Sequence, residues 1–230
     1  MSHPSLFAPR LAPVPSSIDL RCCDVAELLA SGDAQGATLC IADPPWGEYE
    51  QRPGVADPEL TYPVLPMSAI AAHVEAAYDV AAPGARLALW TVWPLMLDWL
   101  VASSSMRWRY VTGGAWAKQD SQGAGYHWLG RSEPVLVYHR PGAACYTDRA
   151  SDLGNSHVSS RTRHSEKPIA WQRLWIRRWT RPGELVVDLY AGRATVALAC
   201  LAEGRRYLGA EIDPQRHADA CGLVAGRVGL

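Results

Sequence analysis

The chain has 230 residues, nearly half of them hydrophobic, and a formal charge of −1. That is enough apolar material for one sizeable core. The near-neutral balance excludes a globally basic nucleic-acid binder, so contact with a polyanion has to come from a local patch.

Residues 1–16 are rich in proline and serine and read as a disordered leader without the layout of a signal peptide. The remainder, 17–230, reads as a single domain. A short strand over 17–22 leads into a helix over 24–31, and a second strand covers "ATLCIA", 37–42. Helical spacing predicts 67–81, with Ser68 as N-cap. A strand at 85–92 precedes a helix at 94–104 with Pro94 in its first turn. Strands at 108–118 and 134–140 flank a glycine-rich loop. A helix over 168–179, a strand over 184–190, a helix over 193–204, a strand over 205–213 and a helix over 214–226 complete the chain. The alternation predicts an α/β fold, a mostly parallel sheet with helices on both faces. The stretches 47–66 and 141–166 are long enough to read as functional loops. No apolar run approaches the roughly 18 residues of a membrane span.

The six cysteines, Cys22, Cys23, Cys40, Cys145, Cys200 and Cys221, show no CxxC or Cys/His spacing. They are expected to be reduced core residues of a cytoplasmic protein, with no metal site. Of the ten tryptophans, Trp90, Trp93, Trp99, Trp171, Trp175 and Trp179 are expected in the core.

Two stretches carry chemistry. In "CIADPPWGEY", 40–49, a buried strand ends in Asp43 and is stopped at once by Pro44 and Pro45, with Trp46 after them. An acid at a strand's carboxyl edge, followed by stiff backbone and an indole, is an unusual plain turn. In "VVDLYAGRATVALACLAEGRRYLGAEID", 186–213, a strand ends in Asp188, a turn holds Gly192, a helix begins near Arg193, and the next strand ends in Glu211. This is the layout of a nucleotide-binding βαβ unit, in which the second acid bonds ribose hydroxyls. The turn lacks the glycines that cradle a pyrophosphate. It therefore suits an adenosyl cofactor without phosphates better than NAD, although an ordinary βαβ unit with coincidental acids has the same outline.

Together these motifs resemble the S-adenosylmethionine-dependent amino-methyltransferases that act on adenine N6. "DPPW" is similar to their catalytic motif, "DLYAGRAT" to their cofactor loop and "HSEKP", 164–168, to the segment before it. The motif order resembles the permuted, beta-type arrangement. The ordered set, with "TYPVLPMSAI", "LALWTV", "AWAK" and "GYHWLGRSEPVLVYHRPG", is most similar to the messenger-RNA N6-adenine methyltransferases and their phage and bacterial DNA-modifying relatives. It reaches from about 18 to 213. Leu189, Tyr190 and Ala194 depart from the usual loop residues proline, phenylalanine and glycine.

The resemblance implies a Rossmann-like class I methyltransferase fold, S-adenosylmethionine as cofactor and DNA as partner, with RNA and a homodimer left open and no membrane. It implies a catalytic set of Asp43, Pro44, Pro45 and Trp46. The Asp43 carboxylate and the Pro44 carbonyl would hold the two amino hydrogens, and Trp46 would stack on the base. For the cofactor it implies Asp24 with Val25 against the adenine, Lys167 on the methionine carboxylate, and Asp188, Tyr190, Gly192, Arg193 and Thr195 around the loop. Glu211 would take the ribose. Each has a plainer role: Asp24 as a helix cap, Lys167 as a solvated lysine, Asp188 as a turn cap, Glu211 as a surface acid. Glu133 and Arg131 read either as a structural pair or as substrate contacts. Arg149, Arg161 and Arg163 on the loop 141–166 are the candidates for nucleic-acid phosphates. Adenine-N6 methylation of DNA is the expected activity. An RNA methyltransferase, a cytosine-N4 enzyme (more often bearing serine where Asp43 stands) and a non-catalytic nucleic-acid-binding partner are the alternatives.

Overall fold

A computed structural model describes residues 15–46, 65–119, 130–143, 154–160 and 166–227. All but the last two residues of the expected leader, and most of the two long loops, lie outside the described residues. In chain order the elements are β1 (Ile18–Cys22), α1 (Val25–Ala30), β2 (Ala37–Ala42), α2 (Met67–Val80), β3 (Ala81–Trp90), α3 (Trp93–Ala102), β4 (Arg109–Lys118), β5 (Ser132–His139), β6 (Ser156–Ser159), α4 (Ile169–Trp179), β7 (Leu185–Asp188), α5 (Thr195–Glu203), β8 (Arg206–Glu211) and α6 (Pro214–Ala225).

The strands form one sheet in the order β1-β8-β7-β2-β3-β5-β4-β6. Pairing is parallel throughout except at β5, which runs antiparallel to both β3 and β4. Strand periodicity sends alternate side chains to opposite faces. In β2, Cys40 and Ala42 join a core with Leu28 of α1, Val74 of α2 and Trp99 of α3. Leu39 and Ile41 join the opposite core, with Trp175 of α4, Val196 of α5 and Val224 of α6. The sheet is thus covered on both faces, which is why its central strands read as continuous apolar runs. None of the described helices is long and apolar enough to cross a membrane.

The structure departs from the sequence reading in several places. β3 begins at Ala81, earlier than 85, because Ala81 already pairs with Ala37 before the register shifts; Pro83 and Gly84 mask this extension in the sequence. β6 lies inside the expected loop. Its four residues carry no strand-like apolar pattern, and they are strand only because β4 pairs with them. The N-cap of α2 is Pro66 and has no side-chain cap bond, so Ser68 falls inside the first turn. Trp93 is 51% exposed and outside the core, whereas Trp90, Trp99, Trp171 and Trp175 are buried and Trp179 is half-buried. Cys40 and Cys200 are buried, but Cys22 is exposed and Cys23 and Cys221 are partly so.

Candidate active site

Because β8, β7 and β2 are adjacent and parallel, their carboxyl ends share one edge. The chain runs outward from β2 to β3 on one side and from β7 to β8 on the other. The order therefore reverses between β2 and β7, and ligand clefts form at such points. Ile41 stands opposite Asp188 in that pairing, so Asp43 emerges just beyond Asp188. Asp24, Asp43, Asp188 and Glu211 all border one cleft of about 1130 Å3 including its open mouth. Every catalytic and cofactor candidate lines it, Val25, Pro44, Pro45, Trp46, Lys167, Tyr190, Gly192, Arg193 and Thr195 included. Arg149, Arg161 and Arg163 lie outside the described residues.

The two oxygens of Asp43 have different surroundings. Oδ2 accepts a hydrogen bond from Lys167 Nζ at 2.6 Å. Oδ1 is buried and has no hydrogen-bond partner. Buried carboxylate oxygens are rarely left without a donor, so Oδ1 is a candidate acceptor for a ligand group. Burial pushes the carboxyl above its usual range, against the opposing pull of Lys167. The side chain as a whole retains 26% exposure toward the cleft.

Lys167 is only 6% exposed and is no solvated loop lysine. Its ammonium lies 2.6 Å from Asp43, 3.3 Å from Glu133 and 5.2 Å from the centre of the Trp90 ring. Burial disfavours the charge, but the two carboxylates outweigh it and keep the lysine protonated. Glu133 does not pair with Arg131, one of the two readings open for these residues. It is clamped between Lys118 and Lys167; burial pushes its carboxyl up, and the two lysines outweigh this and hold it down. The reason is register: β4 and β5 pair with Trp116 opposite Glu133, bringing Lys118 within reach.

The turn after β7 is held by short polar contacts. Asp188 Oδ2 accepts the Tyr207 hydroxyl at 3.1 Å and Oδ1 accepts the Tyr190 N–H at 3.4 Å. Burial pushes the Asp188 carboxyl up to about 7. Glu211 accepts the Gly192 N–H on one oxygen and the Asp213 N–H on the other, both at 2.9 Å. It is therefore built into the turn and is not a loose surface acid. Gly192 has φ 50°, and Ala194 is the only non-glycine with positive φ among the described residues, at 56°. The left-handed conformation costs a side chain roughly 1–2 kcal/mol. The glycine of the related loop thus coincides with a real backbone demand, which Ala194 meets under strain. Asp24 caps α1 by accepting the Ala26 N–H at 2.7 Å, in a reciprocal capping box with Glu27. The cap and a place on the cleft wall coexist. Arg193 is paired with Glu166 at 2.7 Å.

Among the cleft residues that the sequence does not assign to the site are Gln172, Trp90 and Glu166. Gln172 is buried with its Oε1 unpartnered, and the Trp90 indole N–H is buried likewise. Glu166 is paired with Arg193. Gln172 follows Trp171 on a helix that reads as amphipathic, so only tertiary position brings it to the cleft.

The cleft fits S-adenosylmethionine in character. Asp188, Glu211, Asp43 Oδ1 and Gln172 Oε1 are acceptors suited to a cationic, hydroxyl-bearing ligand. Lys167 and Arg193 are already engaged by carboxylates, and the turn offers no glycine-lined cradle for phosphates. Among the described residues no cluster of three or more His, Cys, Asp or Glu is placed to hold a metal.

Comparison with known proteins agrees. By structure the chain is similar to M1.HpyAVI, solved as a complex with SAM, with a TM-score of 0.71, 14% identity and coverage of 88% of this chain and 97% of that one. It is similar to TTHA0409 of Thermus thermophilus, with a TM-score of 0.68, 19% identity and coverage of 92% and 95%. The cytosine-N4-specific PvuII DNA methyltransferase gives a TM-score of 0.75, 15% identity and coverage of 92% and 88%. These likenesses establish the class I methyltransferase fold. In sequence, 65 residues are 35% identical to YubD of Escherichia coli (strain K12), 28% of this chain and 29% of that protein. The DNA methylase family profile matches residues 94–221. That stretch takes in Lys167, Asp188 and Glu211 and stops short of Asp43. Since the match spans more than half of the chain, the chain belongs to the DNA methylase family.

Proposed function

We propose that the protein transfers a methyl group from S-adenosylmethionine to the N6 amino group of adenine in DNA. The observation that carries this reading is the asymmetric anchoring of Asp43, with Oδ2 held by Lys167 and Oδ1 buried and unpaired. An exocyclic amine on adenine is a poor nucleophile because its lone pair is delocalised into the ring. Oδ1 and the Pro44 carbonyl supply two acceptors for its two hydrogens. Holding both pulls the nitrogen toward tetrahedral geometry and frees the lone pair, so the protein's contribution is orientation and electrostatics. Oδ1, on a carboxyl whose proton affinity burial has raised, is also placed to take the proton the amine loses. Trp46, partly buried against the core on the α4 side, gives the base a flat surface. In duplex DNA the base has first to be flipped out, at a cost of a few kcal/mol.

S-adenosylmethionine supplies the electrophilic methyl group on its sulfonium. In this reading Glu211 holds the ribose hydroxyls, Asp24 and Val25 border the adenine, and Asp188 faces the ammonium. Tyr190, Gly192, Arg193 and Thr195 shape the loop side, and Lys167, with two of its three N–H donors turned to Asp43 and Glu133, offers the third to the carboxylate. Arg149, Arg161 and Arg163 are proposed to hold phosphates. The choice of adenine rests on the acid at the head of "DPPW" and its resemblance to adenine-N6 enzymes.

The test is nucleoside mass spectrometry of unmethylated DNA incubated with the protein and labelled S-adenosylmethionine. N6-methyldeoxyadenosine is expected. Label in N4-methyldeoxycytidine, or incorporation into RNA alone, would overturn the assignment.

A further inference from the structure

We propose that Glu133 and Lys118 form a positioning pair that fixes the Lys167 ammonium on one oxygen of Asp43 and so leaves the other without a competing donor, as an acceptor for the target amine. This rests on the reading of Asp43 above and extends it to two residues that do not line the cleft.

The four side chains form a row of alternating charge. Lys118 comes from β4, Glu133 from β5, Lys167 from the segment before α4, and Asp43 from the end of β2. Lys118 and Glu133 are 12% and 18% exposed, so their attraction is poorly screened. An ammonium facing Asp43 alone would be free to bridge both carboxylate oxygens and compete with the substrate amine. Glu133, 3.3 Å away on another side, pulls against that. The Trp90 ring bounds a further side. Lys118 in turn neutralises Glu133, which would otherwise draw Lys167 off Asp43 and add a second buried anion beside it. The pair therefore balances Lys167 between two carboxylates.

Among the described residues, the charged groups that act on Asp43 are Lys167, Glu133, Lys118 and Asp188 of β7. Glu133 raises its proton affinity, and Lys118 lowers it. Removing one or the other should therefore move the acidic limb of catalysis in opposite directions, which a merely structural pair would not do.

The experiment is the pH dependence of kcat with saturating S-adenosylmethionine and DNA, for wild type, Glu133→Gln, Lys118→Met and Lys118→Arg. Thermal melts and S-adenosylhomocysteine titrations accompany it. The acidic limb should move to lower pH in Glu133→Gln and to higher pH in Lys118→Met, each by roughly half a unit or more. Lys118→Arg should return it to the wild-type position. On the plateau Glu133→Gln should lose roughly tenfold or more in kcat while binding the cofactor product within about threefold of wild type. Should Glu133→Gln fail to fold, Lys118→Met against Lys118→Arg still decides the matter. Limbs that coincide, or that move the same way, overturn the proposal. Turnover retained by Asp43→Ala would instead overturn the reading of Asp43; an inactive Asp43→Ala with coincident limbs would sink the positioning pair alone.

Discussion

Asp188→Asn is expected to stabilise the protein at alkaline pH and to flatten its pH dependence. Asp188 is 1% exposed, and burial lifts its carboxyl from 3.8 to about 7 despite the Tyr207 hydroxyl and the Tyr190 N–H. Between those values the native state holds a proton that the unfolded chain releases. Stability from this group is therefore complete below about pH 4 and is lost as pH rises through about 7. The full span of about 3 units corresponds to roughly 4 kcal/mol, an upper figure for so buried a group. Between pH 5 and pH 8 the part that remains is roughly 3 kcal/mol. Asparagine keeps the shape and cannot ionise; the Tyr207 hydroxyl can turn to accept from its amide. Urea denaturation of wild type and variant at pH 5, 6, 7 and 8 measures the difference. The gap should move toward the variant with rising pH, by about 2–3 kcal/mol across that range. Parallel stability curves would refute the reasoning, because they would mean that Asp188 ionises at a normal pH in the folded protein.

Three further outcomes follow from the same geometry. S-adenosylhomocysteine should bind wild type more tightly as pH rises from 6 to 8, because Asp188 has to ionise to meet the ligand's ammonium. Calorimetry should show that slope vanish in Asp188→Asn, and a pH-independent wild type would remove Asp188 from the ammonium site. Glu211→Ala should weaken the same binding by about 1.5–3 kcal/mol, the range for a hydrogen bond to a charged group; unchanged affinity would move the ribose contact elsewhere. The triple change Arg149→Ala, Arg161→Ala and Arg163→Ala should lower the salt slope of DNA binding by roughly 0.9 per lost phosphate contact while cofactor affinity holds. An unaltered slope would place the phosphate clamp on another segment.

The central strands and the helices that cover them were legible because burial on both faces writes itself as apolar runs and helical periodicity. The acids at the ends of β1, β2, β7 and β8 were legible for a related reason. An ionisable residue directly after a buried strand is conspicuous, and parallel strands bring such ends together. What stayed hidden depends on pairing between distant segments. Nothing in "SEPV" shows that Glu133 meets Lys118; that follows from the antiparallel register of β4 and β5. β6 has a polar sequence and owes its form to the edge of β4. Lys167 could be assigned to the cleft from its motif, but its engagement by Asp43 and Glu133 appears only in three dimensions. Ala194 shows the opposite case: a departure visible in the sequence whose physical meaning, a side chain at φ 56°, needed the backbone.

The central claim is that the free oxygen of Asp43 holds the amine that receives the methyl group. Parallel measurement of single-turnover methyl transfer and S-adenosylhomocysteine affinity in Asp43→Ala and Asp43→Asn tests it most directly. Transfer should be lost in Asp43→Ala and severely reduced in Asp43→Asn, whose amide brings a donor where an acceptor is required, while cofactor affinity stays within about tenfold of wild type. Near-normal transfer by either variant would contradict the account.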